Sequence, residues 1–371
     1  MRKFCALVLA ICAACSYAGG ADKMDAQVKA ITKSAILIDT HNDIPSFTVD
    51  GADIGNSPKN HTDVPRLKQG GVGAIFFSVY VSSKYVEGNH SANRALQMID
   101  TVHTDILRRY PKDFVFALTA ADIERAHRQH KIAGLLGLEG GHAIEDSPRL
   151  LRDYYRLGVR YMTLTHTNTN NWADSSGDMK KPEVQHHNGL TPLGKDIVRE
   201  MNRLGMMVDI SHVADKTFFD ALETSRAPLI ASHSACRAIT DVPRNLTDEM
   251  IKALAAKGGV IQINFFCNFV TRKTGVRATL ADVVAHIDHV KQIAGIDAIG
   301  IGSDFDGIDC APEGLDDVSK FPSLTRALLE KGYSSADIKK IYGGNTLRLM
   351  RQVEKVAQSS SARELPAAPN L

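Results

Sequence analysis

Several histidines and carboxylates of this chain share one placement: they stand at the ends of apolar runs. The first run ends at His41 and Asp43, the third at Glu139, the fourth at His166, the fifth at His212, the sixth at His233, and the eighth at Asp304 and Asp306. A single His-x-Asp pair is weak evidence, because a lone histidine is more often hydrogen-bonded structure than a ligand. Repetition of the pattern points to a metal site. Imidazole and carboxylate without thiolate suit Zn²⁺ first, with Mn²⁺, Co²⁺ and Fe²⁺ as alternatives. The set exceeds what one tetrahedral zinc needs, so two ions ~3.5–4 Å apart and bridged by a carboxylate fit better. Glu139 is the natural bridge, because Gly140 and Gly141 behind it allow a close approach of backbone and metal.

Residues spread over the chain meet only if the fold brings the ends of the runs together. The runs are Ile36–Thr40, Ala74–Val81, Ala133–Leu138, Arg160–Leu164, Met206–Ile210, Pro228–Ala231, Val260–Phe265 and Ala298–Gly302. They are continuously apolar, as expected of parallel strands covered on both faces. Helical patterns separate them. Thr191-Pro192 opens one helix, which carries Leu193, Ile197, Met201 and Leu204 and stops at Gly205. Thr279 caps a second, ending at Gly295, and Thr247 with Asp248 and Glu249 opens a third. Leu96, Ile99, Val102 and Ile106 form the stripe of a fourth, stopped by Pro111. Eight strand–helix units predict an α/β fold, a (β/α)8 TIM-type barrel with a C-terminal helical extension from Tyr342. An open doubly wound sheet is the alternative, but Asp39-Thr40-His41-Asn42-Asp43 stands where its glycine-rich fingerprint belongs. In a barrel all these polar residues share the C-terminal rim, where such folds keep their active sites.

Composition narrows the partners. The 371 residues carry a formal net charge of +2 and no long basic run, which argues against nucleic acid or an anionic membrane surface. Arg2 and Lys3 precede an apolar run from Phe4 to Cys15, and Ser16-Tyr17-Ala18 follows. Residues 1–18 are therefore expected to be a signal peptide, and the chain secreted or periplasmic. Cys15 is a candidate for a lipid anchor, although Cys12 sits where such sites usually carry Leu. The barrel is expected over 19–357, with 358–371 as a disordered tail. Beyond the leader, Cys236, Cys267 and Cys310 allow at most one intrachain disulfide, and buried packing is their expected role. Asn60, Asn89 and Asn245 lie in glycosylation sequons, which matter only in a host that glycosylates.

The motifs His41-Asn42-Asp43, Leu138-Glu139-Gly140-Gly141, Leu164-Thr165-His166 with Asn171-Trp172-Ala173-Asp174, Asp209-Ile210-Ser211-His212-Val213, Ser232-His233-Ser234-Ala235 and Gly302-Ser303-Asp304-Phe305-Asp306-Gly307 occur in that order. Together the chain from about Ile36 to Met350 resembles the membrane (renal-type) dipeptidases, a branch of the metal-dependent amidohydrolase barrels. The resemblance implies two zinc ions per chain: one held by His41, Asp43 and Glu139, the other by Glu139, His212 and His233. It also implies that His166 meets the substrate carbonyl oxygen, that Arg244 pairs with the substrate carboxylate, and that Asp304 is the acid/base. A homodimer acting on dipeptides is implied as well.

That assignment is chemically coherent. Metal binding lowers the pKa of water from ~15.7 toward ~7, so a hydroxide held between two ions can attack a peptide carbonyl. A nearby carboxylate can take the proton and return it to the leaving amine. An arginine gripping a free C-terminal carboxylate would restrict the enzyme to dipeptides. Residue type alone would read Arg244 as a surface ion pair. Trp172 reads as core or site wall, Asp306 as a support for Asp304 or for the strand end or as a residue without a catalytic part, His142 as a support behind the ligands or as structural, and His186 and His187 as part of a solvated lid. One departure stands out: Phe269 occupies a position where the family typically presents a substrate-contacting tyrosine. Two alternatives remain at this stage. One is a binuclear hydrolase of lactones or other amides; the other is a barrel that binds metal or peptide without turnover.

Overall fold

The computed structural model describes residues 22–364 except Thr274, with side chains through Ser360. Residues 1–21, which include the expected signal peptide and Cys15, and residues 365–371 lie outside the described residues. Nine parallel strands follow a first helix over 22–34: β1 (Leu37–Asn42), β2 (Val72–Tyr80), β3 (Phe114–Phe116), β4 (Ile132–Glu139), β5 (Val159–Thr163), β6 (Met207–Asp209), β7 (Ile230–Ser234), β8 (Val260–Ile263) and β9 (Ile299–Ile301). The sheet runs β2-β1-β9-β8-β7-β6-β5-β4-β3, and β2 pairs with β4 from Ala74↔Ala133 to Tyr80↔Glu139. That pairing closes eight strands into the expected barrel. All eight runs predicted from the sequence are strands. The ninth, β3, was not anticipated: it is three residues long and extends the first half of β4 outside the ring, from Phe114↔Ile132 to Phe116↔Gly134.

The apolar strands bury both faces, but the faces differ. Ala74 and Phe76 of β2 and Ala133 and Leu135 of β4 join Ile38, Tyr161, Met207, Ile230 and Val260 in one cluster, which fills the barrel. Ile75, Phe77 and Val79, of the other parity, pack in the larger layer beneath the helices. Towards the C-terminal rim the interior positions turn polar, with Ser78 on β2 and Glu139 on β4. The alternation of a strand thus lifts Glu139 onto the barrel axis at its mouth. The opposite end is closed by the final helix, Asn345–Glu364, through Leu347, Leu349, Met350 and Val353. This helix runs on through 358–364, which the sequence reading placed in the tail.

Helix boundaries follow the expected signals. Thr191 accepts from Gly194 N, and Gly205 ends Pro192–Leu204 in the left-handed region at φ 85°. Thr279 and Asp282 form a reciprocal cap on Leu280–Ala294, and Thr247 caps Asp248–Ala256. Leu96 is the exception. It is 46% exposed, because the buried stripe runs through Ala95, Met98, Ile99, Val102 and Ile106, one position round the helix. Cys267 and Cys310 form a disulfide rather than packing as free thiols, and Cys236 is the buried free cysteine. Asn245 is fully buried, donating to Thr240 O and Phe269 O at 2.8 Å each, so its sequon is closed to a glycan.

Candidate metal centre and active site

Glu139 is the hub of the rim. Its Oε2 lies 3.5 Å from His41 Nε2, while Oε1 lies 3.1 Å from His212 Nε2 and 3.4 Å from His233 Nε2. The two oxygens of one carboxylate thus face two different sets of nitrogens, the arrangement a bridging ligand needs. Asp43 Oδ2 approaches His41 Nε2 at 3.2 Å, so the His-x-Asp pair converges although the β1 register shifts between Asp39 and Asn42. The potential ligand atoms form three sets, each within 4.8 Å: His41, Asp43 and Glu139; Glu139, His166 and His212; and His41, His233 and Asp304. His166 and Asp304, expected as substrate and proton-handling groups, therefore stand close enough to belong to the same centre. All seven of these residues come together, and every one is fully or mostly buried.

Hydrogen bonding behind the histidines tests whether cations fit. Tyr161 Oη lies 2.7 Å from His41 Nδ1 and donates to Thr40 O at 3.1 Å. A carbonyl only accepts, so the phenol proton is committed to Thr40 and the phenol oxygen accepts His41 Nδ1–H. His41 Nε2 is then a bare lone pair facing carboxylates. Nε2 and Asp43 Oδ2 are both buried without a hydrogen-bond partner. Ser232 repeats the logic: its Oγ donates to Asp209 Oδ2 at 2.6 Å and accepts from His233 Nδ1 at 2.8 Å. This leaves the His233 Nε2 lone pair 2.9 Å from His212 Nε2. Acceptors facing acceptors in a buried site call for positive charge between them, and the residues present fit divalent ions.

Electrostatics agree. Burial alone would raise the Glu139 carboxyl, but His41, His166, His212 and His233 hold it well below the usual range. Burial opposes charge on His41, yet Tyr161, Glu139 and Asp43 draw its pKa well above the ordinary value, the sign of surplus negative charge around Nε2. Burial keeps His212 and His233 neutral, as metal ligands must be, and Arg244 reinforces this. Asp304 is pushed up to about 7 by burial and by Asp43 and Glu139, against the pull of His41 and of the Asn264 amide, which donates to Oδ2 at 2.8 Å. A carboxyl near 7 can both accept and return a proton at neutral pH. His212, Asp304 and Asp306 hold left-handed backbone at φ 65°, 64° and 67°, a cost that non-glycine residues bear at functional sites.

A pocket of about 340 Å³ opens over this centre, lined by Asp43, Glu139, His166, His212 and Asp304 on its floor and by Tyr80, Phe47, Phe266, Phe269 and Ile308 on its walls. His166 is held against Tyr80, with ring centres 4.9 Å apart, and against His212 at 4.4 Å. Arg244 stands behind the wall. Its guanidinium sits 5.3 Å over the Phe269 ring, Nη2 donates to His233 O at 2.9 Å, and Nε is buried without a partner. Sequence reasoning missed Tyr161, Ser232, Asp209 and Asn264, which orient the site from behind. Their one signal was position, on or beside the strand ends that carry the histidines. Asp306 supports a loop, its Oδ1 accepting from His61 N at 2.7 Å. His142 Nε2 donates to Val81 O at 2.9 Å, and the residue lies outside the three sets. Trp172 is buried against Gly141, and His187 pairs with Asn170 O, so neither reaches the centre.

An eight-stranded parallel barrel with buried histidines and carboxylates gathered on its C-terminal rim has the build of a metal-dependent enzyme, and the family match makes the class specific: a metallo hydrolase of the amidohydrolase fold. Residues 25–364 match the model of the membrane dipeptidases, peptidase family M19, and the chain belongs to that family of metallopeptidases. It is 42% identical over 338 residues to the dipeptidase verJ of Clonostachys rogersoniana, covering 86% of this chain and 85% of that one. Its fold is similar to that of the probable dipeptidase PvdM of Pseudomonas aeruginosa, with TM-score 0.82 and 24% identity, covering 91% of this chain and 100% of that one. It is also similar to a metallo peptidase of Rhodobacter sphaeroides liganded with a phosphinate mimic of the dipeptide L-Ala-D-Ala, with TM-score 0.76 and 28% identity, covering 86% of this chain and 100% of that one.

Proposed function

We propose that this chain hydrolyses free dipeptides on a pair of divalent ions, zinc by the ligand types. The observation that carries the reading is Glu139, whose two oxygens face His41 on one side and His212 with His233 on the other. His41, Asp43 and Glu139 would hold one ion; Glu139, His212 and His233 the other. Bound there, the ions would supply an activated water and polarise the scissile carbonyl. Asp304 takes the proton of the attacking water and passes it to the leaving amine, a role its pKa of about 7 suits. His166, in the pocket beside Glu139, steadies the carbonyl oxygen as it gains charge. Arg244 fixes the substrate carboxylate by a charge-assisted, two-pronged hydrogen bond and so measures the substrate's length. A pocket of about 340 Å³ is at the small end of ligand sites, as a dipeptide requires. The phosphinate dipeptide mimic held by the Rhodobacter sphaeroides relative supports the same substrate class.

Export is part of this proposal. It is supported by the apolar leader and by the Cys267–Cys310 disulfide, a bond that oxidising compartments preserve. The substrate reading is tested by assaying the purified protein on free dipeptides, C-amidated dipeptides, tripeptides and lactones. Free dipeptides are expected to be turned over fastest. Lactones outrunning every dipeptide would overturn the reading in favour of the lactonase alternative.

A further inference from the structure

Two of the loops that wall the pocket are tied together covalently. Cys267 opens the short helix Cys267–Val270 after β8, and Cys310 lies in the loop after β9. Their disulfide spans 43 residues of sequence with Cα atoms 5.5 Å apart, and Cys267 N also donates to Cys310 O at 3.1 Å. The first loop supplies Phe266 and Phe269 to the pocket; the second supplies Asp304, Gly307 and Ile308. The bond therefore joins the apolar wall of the site to the wall that bears the proton-handling carboxylate.

We propose that the Cys267–Cys310 disulfide is a positioning staple for the substrate, fixing the gap between these two walls. The inference rests on the dipeptide reading of the pocket. Three contacts transmit the position of the stapled loops to groups that would touch substrate. Phe266 N donates to Asn264 Oδ1 at 2.5 Å, and Asn264 Nδ2 donates to Asp304 Oδ2 at 2.8 Å, so the β8 loop steers the acid/base directly. Phe269 lies under the Arg244 guanidinium, and its carbonyl accepts from Asn245 Nδ2 beside Arg244, so the same loop backs the carboxylate-binding arginine. On the other side, a Cβ on Gly307 would fall 2.4 Å from Asp43 Oδ2 and 2.7 Å from Asp304 Oδ1, so the β9 loop is pressed onto the carboxylates with no slack. Cys267–Val270 is a single helical turn, too short to hold its own shape. The disulfide holds it instead, together with the bonds that Asn245 Nδ2 and His286 Nε2 donate to Phe269 O and Val270 O.

A staple of this kind saves the substrate the cost of ordering Phe266 and Phe269, and it acts on binding more than on the chemical step. A bond that only stabilised the fold would leave the binding of substrate unchanged. The test compares the disulfide-bonded protein with the double variant Cys267→Ser/Cys310→Ser and with wild-type protein reduced by excess phosphine, all assayed with added Zn²⁺. Metal content is measured on each. The reduced wild type carries the test if the double variant does not fold. KM for free dipeptides is expected to rise roughly tenfold, with kcat falling by less than KM rises, through Asp304, and metal content unchanged. A phosphinate dipeptide mimic, titrated calorimetrically, should lose affinity by the same factor. KM and mimic affinity within about twofold of the bonded protein, or a fall in kcat with metal loss at constant KM, would overturn the staple. Turnover of dipeptides by the bonded protein tests the substrate reading separately.

Discussion

His212 Nε2 and His233 Nε2 stand 2.9 Å apart in the buried rim of the barrel, with Glu139 Oε1 3.1 Å from the first and 3.4 Å from the second. Ser232 fixes the proton of His233 on Nδ1, so its Nε2 offers a lone pair to that cluster. A barrel that spends three buried polar side chains on one small volume gains nothing in stability from them unless a cation joins them. The predictions below follow from that arrangement and its surroundings.

Asp304→Asn keeps the shape of the residue and one oxygen that can accept from Asn264, and removes its titration. Asn264 still packs beside it. The variant is expected to retain metal and to lose about 10²–10⁴ in kcat, the usual share of a general acid–base group. Steady-state kinetics with metal analysis would check this, and an unchanged kcat would remove Asp304 from the mechanism.

Arg244→Ala should raise KM for free dipeptides by roughly 10–100-fold, the value of a charge-assisted pair. For C-amidated dipeptides, which carry no carboxylate, the same change should matter far less. Equal effects on both substrates would argue that Arg244 serves only to hold His233 O and Ser234 Oγ.

Tyr161→Phe leaves His41 Nδ1–H without its acceptor. Loss of such a supporting partner typically costs about 10–100-fold in metal affinity. Competition with a chelator would measure it, independently of turnover. Gly137→Ala should act the same way, because its Cβ would fall 2.0 Å from Tyr161 Cζ. Wild-type affinity in Tyr161→Phe would show that the hydroxyl does not set the His41 tautomer.

His286 lies outside the three ligand sets, behind the Cys267–Val270 turn, and gives the fold an acid sensitivity of its own. Burial pushes its pKa down to about 4, and its Nδ1 accepts from Cys236 N at 3.0 Å while Nε2 donates to Val270 O at 3.2 Å. The unfolded chain protonates this histidine near 6.5, and the folded chain does not until about 4. Between those values the unfolded state binds more protons, so the stability present above 6.5 drains as pH falls towards 4. His286→Gln should flatten that part of the Tm–pH curve, by up to roughly 3 kcal/mol of stability. Parallel curves for the variant and the wild type would contradict the assignment.

The sequence made the barrel visible because its strands are buried on both faces and read as unbroken apolar runs. It made the rim visible because six of the eight runs end in a residue that can bind metal. What it hid has a common cause. Tyr161 meets His41, Asp209 meets Ser232 and Asn264 meets Asp304 only across strands, and although Ser232 adjoins His233 in the chain, no local spacing marks its hydroxyl as the partner of that ring. Cys267 and Cys310 were hidden for the same reason, since which cysteines meet depends on which loops meet. The short β3 escaped because three residues make no period, and Leu96 because a one-position rotation of a helix stripe leaves the apolar count unchanged.

The central claim is that His41, Asp43, Glu139, His212 and His233 hold two divalent ions on which dipeptide hydrolysis depends. The most direct test strips the protein with a chelator and titrates Zn²⁺ back, following bound metal and turnover of a free dipeptide together. Activity should vanish in the stripped protein and return in full as about two ions bind per chain. Full activity in metal-free protein, or two bound ions without turnover, would contradict it.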